Sequence, residues 1–151
     1  YEESASIILN HVPEGVQLAH KYNLPEVIID FIRTHHGTTK TGYFYAMQKK
    51  NNPDQPINEE DFLYKGPQPY SKETAVLMLV DSVEAATKSL KVHTEESMNQ
   101  MIDNVIDLKI KEGQLSNCDI TFRDVDRIKQ FLKRKMQSVY HVRIEYPVDK
   151  D

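Results

Sequence analysis

The chain of 151 residues has the length of one ordinary domain, and its 39% hydrophobic and 28% charged residues fit a folded core rather than a disordered segment. Its formal charge of −4 lacks the basic excess typical of nucleic-acid binders, and its single cysteine, Cys118, excludes an internal disulfide and a cysteine-rich zinc module. The longest apolar run, residues 75–80, is far shorter than the roughly 20 residues of a membrane span, and the acidic start at Tyr1 does not resemble a signal peptide.

Helical spacing dominates the first part of the chain. Apolar residues recur every three or four positions over residues 7–19, and Pro13 predicts the first turn of a new helix after a kink near His11. Residues 23–25, Asn-Leu-Pro, predict a helix end followed by a helix start. A short second helix then ends before Gly37, and its buried stripe is Val27, Ile28, Phe31 and Ile32.

Residues 37–70 form an irregular excursion rich in glycine and proline, with a short helix predicted over residues 43–47. Three longer helices follow, capped by Ser71, Thr94 and Thr121, and the apolar run 75–80 predicts that the first of them is central to the core. Thr121 with Asp124 three residues later resembles a capping box, and only residues 143–148 could form a terminal strand. The fold class predicted is all-α, without internal repeats or a dividing linker.

Two adjacent histidines, His35 and His36, stand at the end of the short second helix, directly before Gly37. Neutral imidazole is the commonest metal ligand, which makes the pair a candidate metal site. The alternative is that both rings cap the helix end or bond to carbonyl oxygens.

Two further polar residues lie in apolar surroundings. Asp81 interrupts the most hydrophobic helix, and His11 stands where a leucine would fit between Ile8 and Val12. A buried carboxylate needs a metal, a cation or several donors, so Asp81 is either a metal ligand or the partner of an arginine or a helix end. His11, His35, His36 and Asp81 are therefore predicted to converge on one divalent-metal site, whereas His20 and His93 have the character of surface residues.

These residues belong to motifs that resemble a known family. The segments His11-Val12-x-x-Gly15, Asn23-Leu24-Pro25 and His35-His36-Gly37-Thr38 look like the second half of an HD-superfamily phosphohydrolase. The motifs Gly66-Pro67-x-Pro69-x-Ser71-Lys72-Glu73, Met78-Leu79-x-Asp81-Ser82 and His141-x-Arg143-Ile144-Glu145-Tyr146-Pro147 narrow the resemblance. They are similar to the cytoplasmic HD domain of the bacterial seven-transmembrane-receptor HD hydrolases, a group that includes cyclic di-AMP phosphodiesterases.

The resemblance implies a set of metal ligands and an incomplete domain. His11 matches the third histidine of the family's ligand order, His35 and His36 match its histidine pair, and Asp81 matches its final aspartate, with His35, His36 and Asp81 catalytic. The family's earlier histidine and His-Asp dyad have no counterpart in this sequence. We therefore expect residues 1–151 to be the C-terminal portion of a single HD-type bundle, truncated at its N-terminal side and inactive alone.

The resemblance also implies cofactors, substrate and location. The intact domain would hold two transition metals, Fe or Mn above all, of which this chain would hold one or none, and would cut a cyclic dinucleotide on the cytoplasmic side of the inner membrane. Lys72, Tyr43, Tyr45 and Arg143 are candidate substrate-binding residues, although a solvated lysine and aromatic core residues are the competing interpretations. Apolar surface uncovered by the missing helices predicts self-association.

Two other functional classes compete with the enzyme. The first is a non-catalytic helical module that senses a ligand or holds a partner, which the sequence upstream of Tyr1 would distinguish by the presence or loss of the His-Asp dyad. The second is nucleic-acid binding, which would depend on basic residues spread over positions 123–135. Because those residues occupy the solvent side of an amphipathic helix in an acidic chain, a solvated face is favoured.

Overall fold

The computed structural model describes residues 1–140, which form six α-helices joined by turns and one irregular segment. The helices are α1 (Glu2–Lys21), α2 (Glu26–Thr34), α3 (Gly42–Asn51), α4 (Lys72–Ser89), α5 (Glu95–Lys111) and α6 (Phe122–Val139), with a 3-10 turn at Glu59–Phe62. Extended pairing within this part of the chain is limited to one isolated bridge between Lys40 and Leu63. The all-α prediction is confirmed, and the strand predicted over 143–148 lies outside the described residues.

The core lies among the last three helices, where α5 packs against both α4 and α6. Each contributes apolar residues at helical spacing, so one stripe per helix faces the same interior. The buried cluster consists of Ala75, Met78, Leu79, Val83, Ile102, Ile106, Leu115, Val125, Leu132 and Met136.

All three predicted N-caps are confirmed. The hydroxyls of Ser71, Thr94 and Thr121 each accept a hydrogen bond from the backbone N–H three residues later. In return, the backbone N–H of each cap residue donates to the side chain three residues later, which belongs to Thr74, Ser97 or Asp124. This reciprocal pair of bonds completes a capping box on each helix. Local side-chain chemistry therefore sets where α4, α5 and α6 begin.

The predicted start of a new helix at Pro13 is wrong, because α1 is one continuous helix of 20 residues with the proline inside it. Pro13 costs the helix one backbone hydrogen bond, and packing of α1 against α2, α3 and the 3-10 turn compensates for it. His11 and the residues on either side of the proline therefore belong to one helix.

The prediction that α4 is central to the core is confirmed, although only half of the run 75–80 is buried. Ala75, Met78 and Leu79 are buried, but the other three members of the run, Val76, Leu77 and Val80, remain partly exposed. Val76, Leu77 and Val80 therefore form an exposed apolar stripe along α4.

The buried stripe predicted for α2 is wrong in part, because Val27 and Ile28 are exposed, Phe31 and Ile32 are partly buried, and Ile29 is the buried apolar residue of that helix. On α1, Ile7, Ile8 and Leu18 are exposed as well. Each helix among residues 1–140 is too short or too polar to cross a bilayer.

Candidate metal centre

Three helices bring the predicted metal ligands together. His11 lies on α1, His35 and His36 follow the last turn of α2, and α2 packs against both α1 and α4. One ligand atom from each of the three histidines can be chosen so that all lie within 4.8 Å of one another. The carboxylate of Asp81, on α4, lies 3.7 Å from Nδ1 of His36. Residues separated by up to 70 positions in the sequence thus meet at one place, as the sequence pattern predicts.

Hydrogen bonds orient two of the imidazoles. Nδ1 of His35 donates to the carbonyl oxygen of Ile32 at 2.6 Å, and Nδ1 of His11 donates to that of Ile8. Because a carbonyl oxygen can only accept, each Nδ1 carries a proton, and in the neutral rings each Nε2 presents its lone pair. These two Nε2 atoms face each other at 3.1 Å. A cation between them would accept both lone pairs, and an ion held at roughly 2 Å from each nitrogen fits this separation.

His36 is held in its neutral form. Burial above all, followed by repulsion from the cationic forms of His35 and His11 and from Lys109, lowers the pKa of its imidazole from 6.5 to about 3. At neutral pH its contact with Asp81 is therefore not an ion pair. A neutral imidazole beside a carboxylate is a donor set suited to a divalent transition metal.

Asp81 is less buried than predicted. Its side chain is 40% exposed, and the ion pair with an arginine that was the competing interpretation is not formed within residues 1–140. The carboxylate lies on the incompletely covered side of α4, which explains how an acidic residue is tolerated in this apolar helix. Its oxygens remain accessible to a ligand that approaches from outside the helix bundle.

The end of α2 shapes the backbone beneath the histidine pair. Gly37 adopts a φ of 54°, and its N–H donates to the carbonyl oxygen of Thr34 at 2.9 Å. This left-handed conformation ends the helix and is readily adopted by glycine. The C-terminal end of a helix carries partial negative charge, which favours a bound cation near His35 and His36.

A cleft of about 890 Å³ opens beside the histidine cluster, between α1 and the segment 60–66. His36 and Tyr64 lie on its wall, and Val12 and Pro13 supply apolar surface. The charged residues that line it are two cationic and four acidic ones, namely Arg33, Lys65, Glu2, Glu3, Glu60 and Asp61. This volume lies within the range of small-molecule binding sites.

The structure does not bring the predicted substrate-binding residues to the cluster. Nζ of Lys72 donates to the carboxylate of Asp124 at 2.8 Å. Lys72 lies nine residues before Asp81 on α4, which is roughly 13 Å along the helix axis. Tyr43 is 67% exposed, and the hydroxyl of Tyr45 donates to Glu59 at 2.5 Å. None of these three residues lines the cleft, and Arg143 lies outside the described residues.

Three residues that the sequence did not single out adjoin the predicted ligands. The ring of Tyr64 stacks on His36 with centroids 4.3 Å apart, and burial raises the pKa of its hydroxyl to about 12. Lys109 has a mostly buried side chain, and burial lowers its pKa while Glu112 and Asp81 oppose that shift. Gln114, 3% exposed, bonds to Thr38 just after the histidine pair. These residues reach the predicted ligands through contacts between distant parts of the sequence, so no local sequence pattern identifies them as site residues.

The chain is similar to curated and solved proteins. It is 40% identical over 150 residues to the cyclic-di-AMP phosphodiesterase PgpH of Listeria monocytogenes and 38% identical over 144 residues to that of Bacillus subtilis. These matches include 99% and 95% of this chain, but the chain spans only about a fifth of those relatives' length, 21% and 20%. No family model matches the sequence.

The solved structures agree with the sequence relatives. The HD domain of L. monocytogenes phosphodiesterase PgpH, crystallised in complex with cyclic-di-AMP, is similar with a TM-score of 0.87 and 39% identity over 96% of this chain and 67% of that chain. A further crystal structure of the same HD domain gives a TM-score of 0.85 and 36% identity over 93% and 64% of the two chains. The shared fold extends through nearly all of the present chain.

Proposed function

The chain belongs to the PgpH family of HD domains, and on that premise we propose that residues 1–151 are the C-terminal portion of one metal-dependent phosphodiesterase domain. Its substrate is a cyclic dinucleotide, and cyclic di-AMP is favoured because the similar PgpH domain was crystallised with it. The parent is anchored in the bacterial inner membrane with this domain on the cytoplasmic side. Coverage of only 67% of the solved HD domain and 21% of the curated relative supports a longer parent.

One observation supports the metal-dependent activity above all, namely the meeting of His11, His35 and His36 beside Asp81. The 3.1 Å gap between two Nε2 atoms and the neutral state of His36 suit a divalent cation. Imidazole and carboxylate donors together favour Fe or Mn over Mg or Ca, which prefer oxygen ligands alone.

The chain's own groups have distinct roles in this proposal. When bound, two divalent metals supply a hydroxide nucleophile at neutral pH and neutralise the charge that the phosphodiester oxygens gain. His11 and His35 hold their protons on Nδ1, so that both Nε2 atoms point into the centre. Tyr64 covers one face of His36 and excludes water from it, while the adjacent cleft is wide enough to accept a nucleotide. Lys72, Tyr43, Tyr45 and Arg143 remain predicted substrate contacts.

The absence of a His-Asp dipeptide from the sequence limits what the chain does alone. Three histidines and one carboxylate suffice for one weakly held metal, but no carboxylate remains to bridge two. We therefore propose that the remaining ligands come from outside these 151 residues, and that the chain by itself does not hydrolyse cyclic di-AMP.

The absence of a His-Asp dipeptide is also the observation that favours the alternative function, a non-catalytic helical module that senses a ligand or holds a protein partner. The exposed apolar residues of α1, α2 and α4 are consistent with either interpretation, because contiguous apolar surface tends to be covered by another segment or molecule. In isolation we expect this surface to drive self-association of the chain.

The distinguishing experiment measures hydrolysis of cyclic di-AMP with Mn²⁺ by a polypeptide extended upstream to include the whole HD domain. We expect turnover that a chelator abolishes. Asp81→Ala should abolish kcat rather than only raise KM, because a lost ligand affects the transition state more than substrate binding. Glu84→Gln serves as the matched control, since it lies one turn further on α4 and removes only a surface ion pair with Lys88.

Three results would separate the possibilities. Loss of turnover in Asp81→Ala with full activity in Glu84→Gln supports the enzyme. No turnover by the extended domain, although the domain is folded, favours the non-catalytic module. Turnover in Asp81→Ala at the rate of the unmodified domain contradicts the role proposed for Asp81.

A further inference from the structure

Gln114 is a buried polar side chain that hydrogen-bonds to the turn directly following the histidine pair. It lies just after α5 and is 3% exposed. Its Oε1 accepts from the backbone N–H of Thr38 at 3.0 Å, and its Nε2 donates to Oγ1 of Thr38 at 3.0 Å. One amide group thus engages both the main chain and the side chain of a residue 76 positions away, two residues beyond His36.

Close packing reinforces these hydrogen bonds. A Cβ atom added to Gly37 would overlap Oε1 of Gln114 and lie 2.7 Å from Cε of Met78, so the amide sits directly against the bare backbone of the turn. Met78 is fully buried on α4, three residues before Asp81. Gln114 therefore fills the space where the end of α2 meets α4, the two helices that present His35, His36 and Asp81.

The turn that Gln114 holds is itself bonded to the histidine pair. The carbonyl oxygen of His36 accepts from the backbone N–H of Thr39 at 3.1 Å and from its hydroxyl at 2.8 Å. A displacement of Thr38 would move both of these donors, and with them the backbone from which the imidazole of His36 projects. Gln68 adds a second contact, because its Nε2 donates to Oγ1 of Thr38 at 3.2 Å.

We propose that Gln114 is a positioning residue for His35 and His36, acting through Thr38 and the close packing on Gly37. Partners that hydrogen-bond directly to a metal ligand change metal affinity by roughly 10- to 100-fold when removed, and Gln114 acts on His36 by the longer route through Thr38 and Thr39. The consequence for metal affinity depends on the proposed function, whereas the orientation of the imidazoles does not.

The experiment compares Gln114→Met, which keeps the length of the side chain and removes both hydrogen bonds, with the unmodified chain. Thr87→Val is the matched control, because Thr87 is equally buried and its hydroxyl donates to Val83 within α4. The first readout is the set of imidazole ¹⁵N signals in the metal-free chain, and the second is the Kd for Mn²⁺. Urea unfolding of each variant reports stability.

We expect Gln114→Met to shift the imidazole signals of His35 and His36 and to weaken Mn²⁺ binding by up to about tenfold. Thr87→Val should lower stability while leaving both readouts unchanged. Unchanged imidazole signals in a folded Gln114→Met chain would overturn the proposal and leave Gln114 with a role in stability only. A third result is possible, in which Gln114→Met shifts the imidazole signals but the unmodified chain binds no Mn²⁺. That result would support the positioning role of Gln114 and contradict the proposed metal centre.

A second pair of variants covers the case in which Gln114→Met does not fold. Thr38→Val removes the hydroxyl that Gln114 bonds, while Thr38→Ser retains it, and Thr38 is only half-buried. The proposal predicts shifted histidine signals in Thr38→Val and restored signals in Thr38→Ser. Equal spectra for these two variants would contradict it.

Discussion

Replacing Gly37 by alanine tests the geometry beneath the histidine pair. The residue has a φ of 54°, a conformation that costs an L-amino acid with a side chain roughly 1–2 kcal/mol. The new methyl group would also overlap Oε1 of Gln114 and meet Cε of Met78 at 2.7 Å, and relieving such overpacking costs about 1–3 kcal/mol. Together these two effects predict a loss of about 2–5 kcal/mol, a large fraction of a typical unfolding free energy.

Urea unfolding followed by circular dichroism at 222 nm measures this loss. Gly42→Ala is the matched control, because Gly42 opens α3 and an added Cβ has nothing within 4 Å. That variant should retain the stability of the unmodified chain or gain up to roughly 1 kcal/mol, since alanine reduces the freedom of the unfolded chain. A Gly37→Ala chain as stable as the Gly42→Ala chain would refute the close packing of the amide on the turn.

Three other outcomes are expected. Thr121→Ala removes the hydroxyl that caps α6 and should cost about 1 kcal/mol in urea unfolding, and an unchanged midpoint would count against the capping box. The bonds from Lys72 and Thr121 hold the pKa of Asp124 well below its usual range, so its contribution to stability is complete above about pH 5 and is lost as the pH falls below roughly 4. The stability difference between the chain and Asp124→Asn should therefore shrink in acid, and a constant difference from pH 7 to 3 would argue against that contribution. Sedimentation should show self-association that weakens in a double variant, Ile7→Ser with Ile8→Ser; a monomeric chain at high concentration would contradict this.

Much of the fold can be predicted from the sequence because its signals are local. Ser71, Thr94 and Thr121 mark their helix starts through bonds to residues only three positions away. Residues 23–25 separate α1 from α2 as predicted, and α3 contains the predicted short helix at 43–47 and extends beyond it. Such contacts need no knowledge of the tertiary structure.

The errors arise where tertiary packing decides the outcome. Pro13 breaks an isolated helix, yet contacts with three other elements keep α1 continuous. Val80 belongs to the apolar run that places α4 in the core, yet its own side chain is 37% exposed. Periodicity indicates which residues are apolar and leaves open how many sides of a helix are covered.

The candidate site likewise contains residues that the sequence identifies and residues that only the tertiary structure identifies. His35 and His36 are adjacent, and His11 and Asp81 are conspicuous because each interrupts an apolar pattern. Gln114 and Tyr64 carry no such mark, since a glutamine in a turn and a tyrosine in a loop are ordinary surface residues. Their roles follow from contacts over long sequence separations, which composition and spacing do not encode.

The most direct test of the central claim is an electron paramagnetic resonance titration of the chain with Mn²⁺, which measures the free ion. One weak site per chain is predicted, lost in His35→Ala and retained in His20→Ala, because His20 is exposed and contacts Glu26 instead of the cluster. Equal Mn²⁺ binding by the two variants, with both chains folded, would show that His11, His35, His36 and Asp81 do not form a metal centre.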